Sequence, residues 1–406
     1  MIKGDDELKN RDIYLKRLLS FKDKSLIKVI TGMRRCGKST LLSLLEQNLL
    51  ESGIKKEAII RMNFESLELD EIKNYKDLYN WIQEKISNES KTYILLDEIQ
   101  QVESWEKAVN SFLVDFNVDV YITGSNAYLL SSELSTLLSG RYVEIKMLPL
   151  SFKEYLDFND YKNGYDINEY FSRYIEYGGL PAIAEISDHP ETIKPFLSGI
   201  YNTVIMKDVV QRNAVRDVAL LESVYRFIAG NIGSLVSTKK ISDYLTSAGR
   251  KCSSDTIDNY IKMLENAFII YKANRYDLKG KMHLKTQEKY YIVDTGLRNE
   301  LLGLRNVDYG HVLENIVYFE LLRRGYEVYV GKLGNLEVDF VAVKPESKIY
   351  YQVSASILSE ETRERELRPF RSIADNYEKI ILTMDKTFIK DYDGIKIENI
   401  IDFLIK

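Results

Sequence analysis

The run VITGMRRCGKSTLL, from Val29 to Leu42, constrains the fold of this chain more than any other stretch. Gly32 and Gly37 bracket four residues and Lys38-Ser39 follow, the spacing GxxxxGK[S/T], with an apolar β-branched run before it and a leucine-rich helix after it. Glycines let successive backbone N–H groups close around phosphate oxygens, and a helix starting near Lys38 points its positive dipole end at the same oxygens. The spacing therefore predicts a nucleotide-contacting set of Gly32, Arg34, Arg35, Cys36, Gly37, Lys38, Ser39 and Thr40. Lys38 is expected to reach the β- and γ-phosphates of ATP, and Ser39 to ligate Mg²⁺.

Such a loop needs a parallel sheet flanked by helices, and the neighbouring sequence supplies one. Short β-branched runs (LIKVIT, AIIRMNF, YILLDE, VDVYITG, RYVEIKML) alternate with helical stretches over residues 1–150. YILLDE ends in Asp97 and Glu98; the first is expected to hold Mg²⁺, the second to orient or deprotonate an attacking water. VYITGSN ends in Ser125 and Asn126, and a polar side chain there can lie between the two other strands and touch the γ-phosphate. Arg141, just ahead of the last strand, is a candidate to stabilise transition-state charge in a neighbouring copy. Alone, each of these could be a surface acid pair, a helix-capping turn or a solvated arginine.

A chain of 406 residues exceeds one ordinary core. Residues 151–215 read as amphipathic helices, a helical lid. Residues 216–290 show helical stretches and then two apolar runs around Lys279-Gly280-Lys281, the outline of a winged helix. Residues 291–406 return to mixed α/β. The expected fold class is thus α/β: a P-loop parallel sheet with a helical lid, then a winged helix and a nuclease-like mixed domain. The charged opening MIKGDDELKNRDIYLKR, the lack of an apolar run long enough to span a bilayer, and only two cysteines, Cys36 and Cys252, predict a cytoplasmic chain with no membrane partner.

TGMRRCGKSTLL, LLDEIQ, ITGSNAYLLSSELSTLLSGRY, PLSFKEYL and YGGLPA together resemble the prokaryotic AAA-type ATPases that carry a C-terminal domain of unknown function, relatives of signalling and origin-recognition ATPases. KYYIVDTGLRN and GHVLENIVYFELLRRGYEVYV are similar to that family's C-terminal half, so the resemblance covers nearly the whole chain. It implies that Lys38 and Ser39 are Walker A residues, Asp97 and Glu98 Walker B, Asn126 the sensor and Arg141 the finger. It also implies that Gly178-Gly179-Leu180-Pro181 is a lid motif pressing Pro181 on the nucleotide; read alone, the same letters make a helix-ending turn.

The net charge of −5 gives no global argument for nucleic acid, but charge is uneven. Leu235 to Tyr290 holds eleven Lys and Arg against six Asp and Glu. Lys239, Lys240, Arg250, Lys251, Lys279, Lys281 and Lys285 are the candidates for contacts to double-stranded DNA, the last three from a wing. Asp255, Asp258 and Glu265 on the presumed recognition helix favour a protein-docking module instead. Glu314 on a helix, then Asp339 and Gln352 on strands, follow the order of restriction-endonuclease-like folds. Ser354 stands where a catalytic lysine is expected, which favours a nuclease-like fold kept for binding or assembly. The expected function is Mg-dependent ATP hydrolysis driving a conformational switch with DNA binding. The alternatives are a signalling ATPase that docks protein partners, or an ATP-dependent nuclease, with homo-oligomers possible in each.

Overall fold

The computed structural model describes residues 9–86, 90–125, 138, 140–162, 164–186, 189–303, 309–386 and 389–406. Two compact units make up the chain: Met1–Met147 with Asn266–Phe268, and Leu148–Glu265 with Ile269–Lys406. No helix among the described residues is long and apolar enough to cross a membrane.

The first unit is built on β1 (Ile27–Thr31), β2 (Ile59–Asn63), β3 (Thr92–Asp97), β4 (Val118–Gly124) and β5 (Tyr142–Lys146). They form one sheet in the order β2-β3-β4-β1-β5, parallel throughout. Every residue of β1, β3 and β4 is buried, because a parallel sheet carries helices on both faces. The edge strands β2 and β5 alternate with exposed positions. Ile60, Ile94, Leu96, Val120 and Ile122 pack with Leu78 and Ile82 of helix Tyr75–Lys85 and with Val109 and Phe112 of helix Trp105–Asp115. Burying each such side chain stabilises by about 1.5–3 kcal/mol. Helix Tyr75–Lys85 begins at a capping box in which the Asn74 side chain accepts from the Lys76 and Asp77 N–H groups and Asp77 reaches back. Within the sheet Lys28 of β1 pairs with Asp119 of β4, both buried.

The second unit opens with helices Phe152–Phe158, Ile167–Tyr177, Pro181–Glu185 and Pro190–Thr203, the last continuing as a π-helix over Val204–Gln211. Helix Val218–Gly230, strand β6 (Leu235–Val236), helices Thr238–Ser247 and Ser254–Asn266, and the hairpin β7 (Ile270–Asp277) and β8 (Met282–Ile292) follow. Helices Thr295–Leu302 and Tyr309–Arg323, β9 (Glu327–Leu333), β10 (Leu336–Lys344), β11 (Ser347–Ser354), helix Glu360–Arg371, β12 (Glu378–Thr383), β13 (Asp391–Tyr392), β14 (Ile395–Asn399) and helix Ile400–Ile405 complete it. All nine strands share one sheet in the order β13-β14-β12-β11-β10-β9-β7-β8-β6. The division expected near residue 290 falls inside β8, and the hairpin is no free arm: β7 pairs with β8 on one side and in parallel with β9 on the other, Tyr276 opposite Gly331.

The turn Gly178-Gly179-Leu180-Pro181 is locked within this unit. Gly179 N–H donates to Asp294 Oδ2 at 2.7 Å, and Leu150 N–H donates to Gly179 O at 2.6 Å. Gly178 has φ 82°, and a Cβ there would stand 2.2 Å from Asp294 Oδ1. Thr295 Oγ1 donates to Tyr174 O, and Asn299 Nδ2 to Ile175 O and Glu176 O, so PLSF, YGGLP and DTGLRN form one joint. Burial pushes the Asp294 carboxyl up to about 6, against the opposing N–H groups of Gly179, Leu297 and Gly296.

Candidate nucleotide site and a buried carboxylate cluster

The glycine loop follows β1 and ends at helix Lys38–Glu51, whose first residue is Lys38. Gly32 has φ 149°, and a Cβ there would stand 2.2 Å from Met147 O, so only glycine closes the loop against the end of β5. Lys38 is buried; its Nζ donates to Gly32 O and Met33 O at 3.1 Å each and lies 3.8 Å from Glu98 Oε1. Arg34 pairs with Glu65 at 2.9 Å, while Arg35, Ser39 and the half-buried Thr40 line the loop and the first helical turn. Cys36 is fully buried, which pushes its thiol pKa up and keeps it protonated.

In the strand order, β4 lies between β1 and β3. Its Thr123 serves both acids at the end of β3: Oγ1 donates to Asp97 Oδ1 at 2.5 Å and accepts the Glu98 N–H at 2.9 Å. Asp97 Oδ2 is buried and has no hydrogen-bond partner among the described residues. An orphaned buried carboxylate oxygen is costly unless a cation satisfies it, so it fits a divalent ion. Mg²⁺ needs only one or two protein carboxylates, since waters and phosphates complete its shell. The Glu98 carboxylate accepts from Ser125 Oγ at 3.3 Å and from Gln100 Nε2, and faces Lys38. Asn126 lies outside the described residues. Arg141 is exposed at the start of β5, where its carbonyl accepts the Ile27 N–H.

Sequence reasoning missed two residues here, Thr123 and Arg11. Arg11, 1% exposed, donates from Nη1 to Cys36 O at 3.1 Å, and its guanidinium lies 4.9 Å from the Tyr14 ring centre. It holds the back of the loop. The signal was a charged residue directly ahead of helix Asp12–Ser20, which looks like an ordinary solvated arginine.

Of the expected nucleic-acid residues, Lys239 and Lys240 are exposed in the first turn of helix Thr238–Ser247. Arg250 lies 3.9 Å from Asp217, and Lys251 is exposed. Lys279 and Lys281 sit exposed at the β7–β8 turn; Lys285 is in β8, its side chain outside those described. Helix Ser254–Asn266 turns Ile257, Tyr260, Ile261 and Leu264 inward and leaves Asp255, Asp258 and Lys262 exposed. Pro181 is the first residue of its helix, next to the Asp294 joint.

Glu314, Asp339 and Gln352 do come together, lining a cleft of about 600 Å³. Gln352 Oε1 accepts the Asp339 N–H at 3.2 Å, and Asp339 Oδ2 accepts the Val353 N–H at 2.9 Å. At their centre stands Lys289 of β8, which the sequence did not single out. Its buried Nζ is 2.9 Å from Glu314 Oε1, 2.9 Å from Glu337 Oε1 and 3.6 Å from Asp339 Oδ1. Burial alone would lower the Lys289 pKa, but Glu314, Asp339 and Glu337 together push it up, so it stays an ammonium. Burial and the Glu314 charge raise Asp339 to about 8. Among the described residues no group of three or more acidic, His or Cys side chains is placed to hold a metal ion. Ser354 Oγ donates to Ser356 O.

A parallel sheet in this order, with a glycine loop after β1 and an acid pair at the end of β3, has the architecture of a P-loop nucleotide-binding fold. A family model described as AAA domain matches residues 24–156, and one described as domain of unknown function (DUF8612) matches residues 168–308. The chain is 46% identical over 401 residues to an uncharacterized protein of Haemophilus influenzae, covering 98% of each. It is 32% identical over 403 residues to an uncharacterized protein of Methanocaldococcus jannaschii, covering 94% of this chain and 86% of that one. The solved Walker-type ATPase PABY2304 of Pyrococcus abyssi shares the fold, with a TM-score of 0.52 at 16% identity over 73% of this chain and 97% of that one. The chain belongs to the prokaryotic AAA-type P-loop ATPases that carry a C-terminal domain of unknown function.

Proposed function

We propose that this chain binds ATP at the Lys38 loop and hydrolyses it with Mg²⁺, and that its second unit engages DNA. The observation that carries the hydrolysis is the unpartnered, buried Asp97 Oδ2 set beside Glu98 and Lys38. Asp97 and Ser39 are the residues that would hold Mg²⁺, which would supply neutralisation of phosphate charge when bound. Lys38 exchanges Glu98 for phosphate oxygens when the nucleotide enters. The released Glu98 carboxylate then orients the attacking water and accepts its proton. Asn126 is assigned the γ-phosphate contact. Arg141, exposed just ahead of the last strand, acts on the nucleotide of a neighbouring copy.

The test compares nucleotide binding by calorimetry with turnover by phosphate release. Lys38→Ala should lose binding, whereas Glu98→Gln should bind ATP without turning it over; wild-type turnover in the Gln variant would remove Glu98 from this role. Arg141→Ala should lower turnover in an oligomer, and unchanged turnover there would retire the finger.

What supports DNA as the effector is the exposed basic set Lys239, Lys240, Lys251, Lys279 and Lys281 on the segment read as a winged helix. Exposed Asp255 and Asp258 on helix Ser254–Asn266 favour a second reading, in which that segment docks a protein partner. Turnover measured with and without duplex DNA separates the two, since stimulation belongs to the first alone. The nuclease reading is weaker, because the Lys289 ammonium already fills the centre of the carboxylate cluster.

A further inference from the structure

The turn that carries Lys279 and Lys281 adjoins an aromatic surface. Tyr276 of β7 stands opposite His283 of β8 and in register with Gly331 of β9, and residues two apart on a strand share a face. Tyr276, His283 and Tyr329 therefore gather on one side of the sheet. Ring centres are 5.3 Å apart for Tyr276 and His283, 5.0 Å for His283 and Tyr329, and 6.1 Å for Tyr276 and Tyr329. Lys348 of β11 extends the group, its Nζ 5.7 Å from the Tyr276 ring, 4.8 Å from Tyr350 and 5.0 Å from Tyr377. Tyr350 is core, but Tyr377 is 50% exposed and His283 is exposed.

The charges around these rings are unequal in their engagement. Asp277 accepts the Lys279 and Gly280 N–H groups, Glu327 accepts the Tyr329 hydroxyl at 2.7 Å, and Asp375 accepts the Tyr350 hydroxyl while lying 3.9 Å from Lys348. Lys279 and Lys281 are exposed at the β7–β8 turn, Lys332 of β9 stands in register with Asp277, and Lys281 is close enough to repel Lys348. Core packing accounts for Tyr350 and for one side of Tyr329, but not for the exposed His283 or for the half-exposed Tyr377 beside the Lys348 ammonium. Exposed aromatic faces with interleaved cations are what unpaired bases and their phosphates require. Duplex grooves instead admit a projecting element, and β7 has both edges occupied.

We propose that this end of the second sheet binds single-stranded nucleic acid, with bases stacking on Tyr377 and on the Tyr276–His283–Tyr329 group and phosphates held by Lys279, Lys281 and Lys348. This rests on nucleic acid being the ligand of the second unit, but on residues other than Lys239, Lys240 and Lys251.

The experiment is fluorescence anisotropy of the full chain with labelled oligothymidylate and with a duplex of equal length at low salt. The single strand should bind more tightly, Tyr377→Ala should weaken it about tenfold, and Tyr377→Phe should not. Lys281→Glu, at an exposed turn, should weaken it and flatten its salt dependence. Wild-type affinity in both Tyr377→Ala and Lys281→Glu, with loss on Lys239→Glu and Lys251→Glu, would overturn this surface while leaving DNA binding intact. Binding to neither nucleic acid would overturn both readings and give the face to a protein.

Discussion

The Thr123 hydroxyl lies 2.5 Å from Asp97 Oδ1 and takes the Glu98 N–H at 2.9 Å, so one side chain on β4 orients both acids at the end of β3. Thr123→Val keeps the shape and removes both hydrogen bonds. Turnover should fall about 10–100-fold, and the Mg²⁺ concentration giving half-maximal rate should rise. ATP binding measured without the metal should stay unchanged. Normal metal dependence in the Val variant would show that Asp97 and Glu98 need no such support.

Arg11 acts on the loop from behind. Arg11→Ala leaves the Cys36 carbonyl without this donor, a loss of about 1–3 kcal/mol for a buried acceptor. KM for ATP should rise about tenfold, the equivalent of 1.4 kcal/mol, with kcat little changed. Arg11→Lys should recover only part, since an ammonium cannot both donate in the plane and stack on Tyr14 as a guanidinium does. An unchanged KM in a folded Ala variant would confine Arg11 to anchoring its helix.

The first sheet was legible because strands buried on both faces make uninterrupted apolar runs, as Thr92–Asp97 does. The glycine loop was legible because its chemistry is local, all within one turn and the start of one helix. Arg11 was not, since it reaches across 25 residues to a carbonyl, and backbone acceptors carry no letter in the sequence. Thr123 reads as one more β-branched strand residue. Lys289 lies between Glu288 and Tyr290, where alternation suggests an ordinary strand charge, yet long-range pairing turns it into the carboxylate cluster. The union of the hairpin with β9 was equally hidden, because parallel pairing over some fifty residues leaves no short-range mark.

Lys289 balances the carboxylates from inside. Lys289→Met should destabilise the second unit by about 3–5 kcal/mol, the cost of leaving a buried charge partner alone. Chemical denaturation of the full chain, followed by probes in each unit, measures this. Plasmid incubated with Mg²⁺ or Mn²⁺ should stay uncut; cleavage that disappears in Asp339→Ala would make the cleft a nuclease.

Asp339 gives the second unit a pH dependence of definite sign. Its carboxyl is raised from 3.8 to about 8 by burial and by the Glu314 charge, so the folded state holds a proton that the unfolded chain releases. That contribution is full below the unfolded value and is lost as pH rises through about 8. Stability should therefore decline with rising pH across this window, by up to about 1.4 kcal/mol per unit. Glu314 is held below its usual value, against burial, by Lys289, His311 and Tyr291, and it acts only in more acidic solution. Asp339→Asn should flatten melting temperature against pH; an unaltered slope would assign the effect elsewhere.

The parallel pairing of β7 with β9 also decides how this chain can be cut. A fragment ending near residue 290 would stop two residues short of the end of β8 and strip β7 of one neighbour, leaving bare strand edges that recruit other chains. The basic hairpin cannot be transplanted as a cassette. Whatever pulls on Lys279 and Lys281 is resisted by a nine-stranded sheet rather than by a flexible finger.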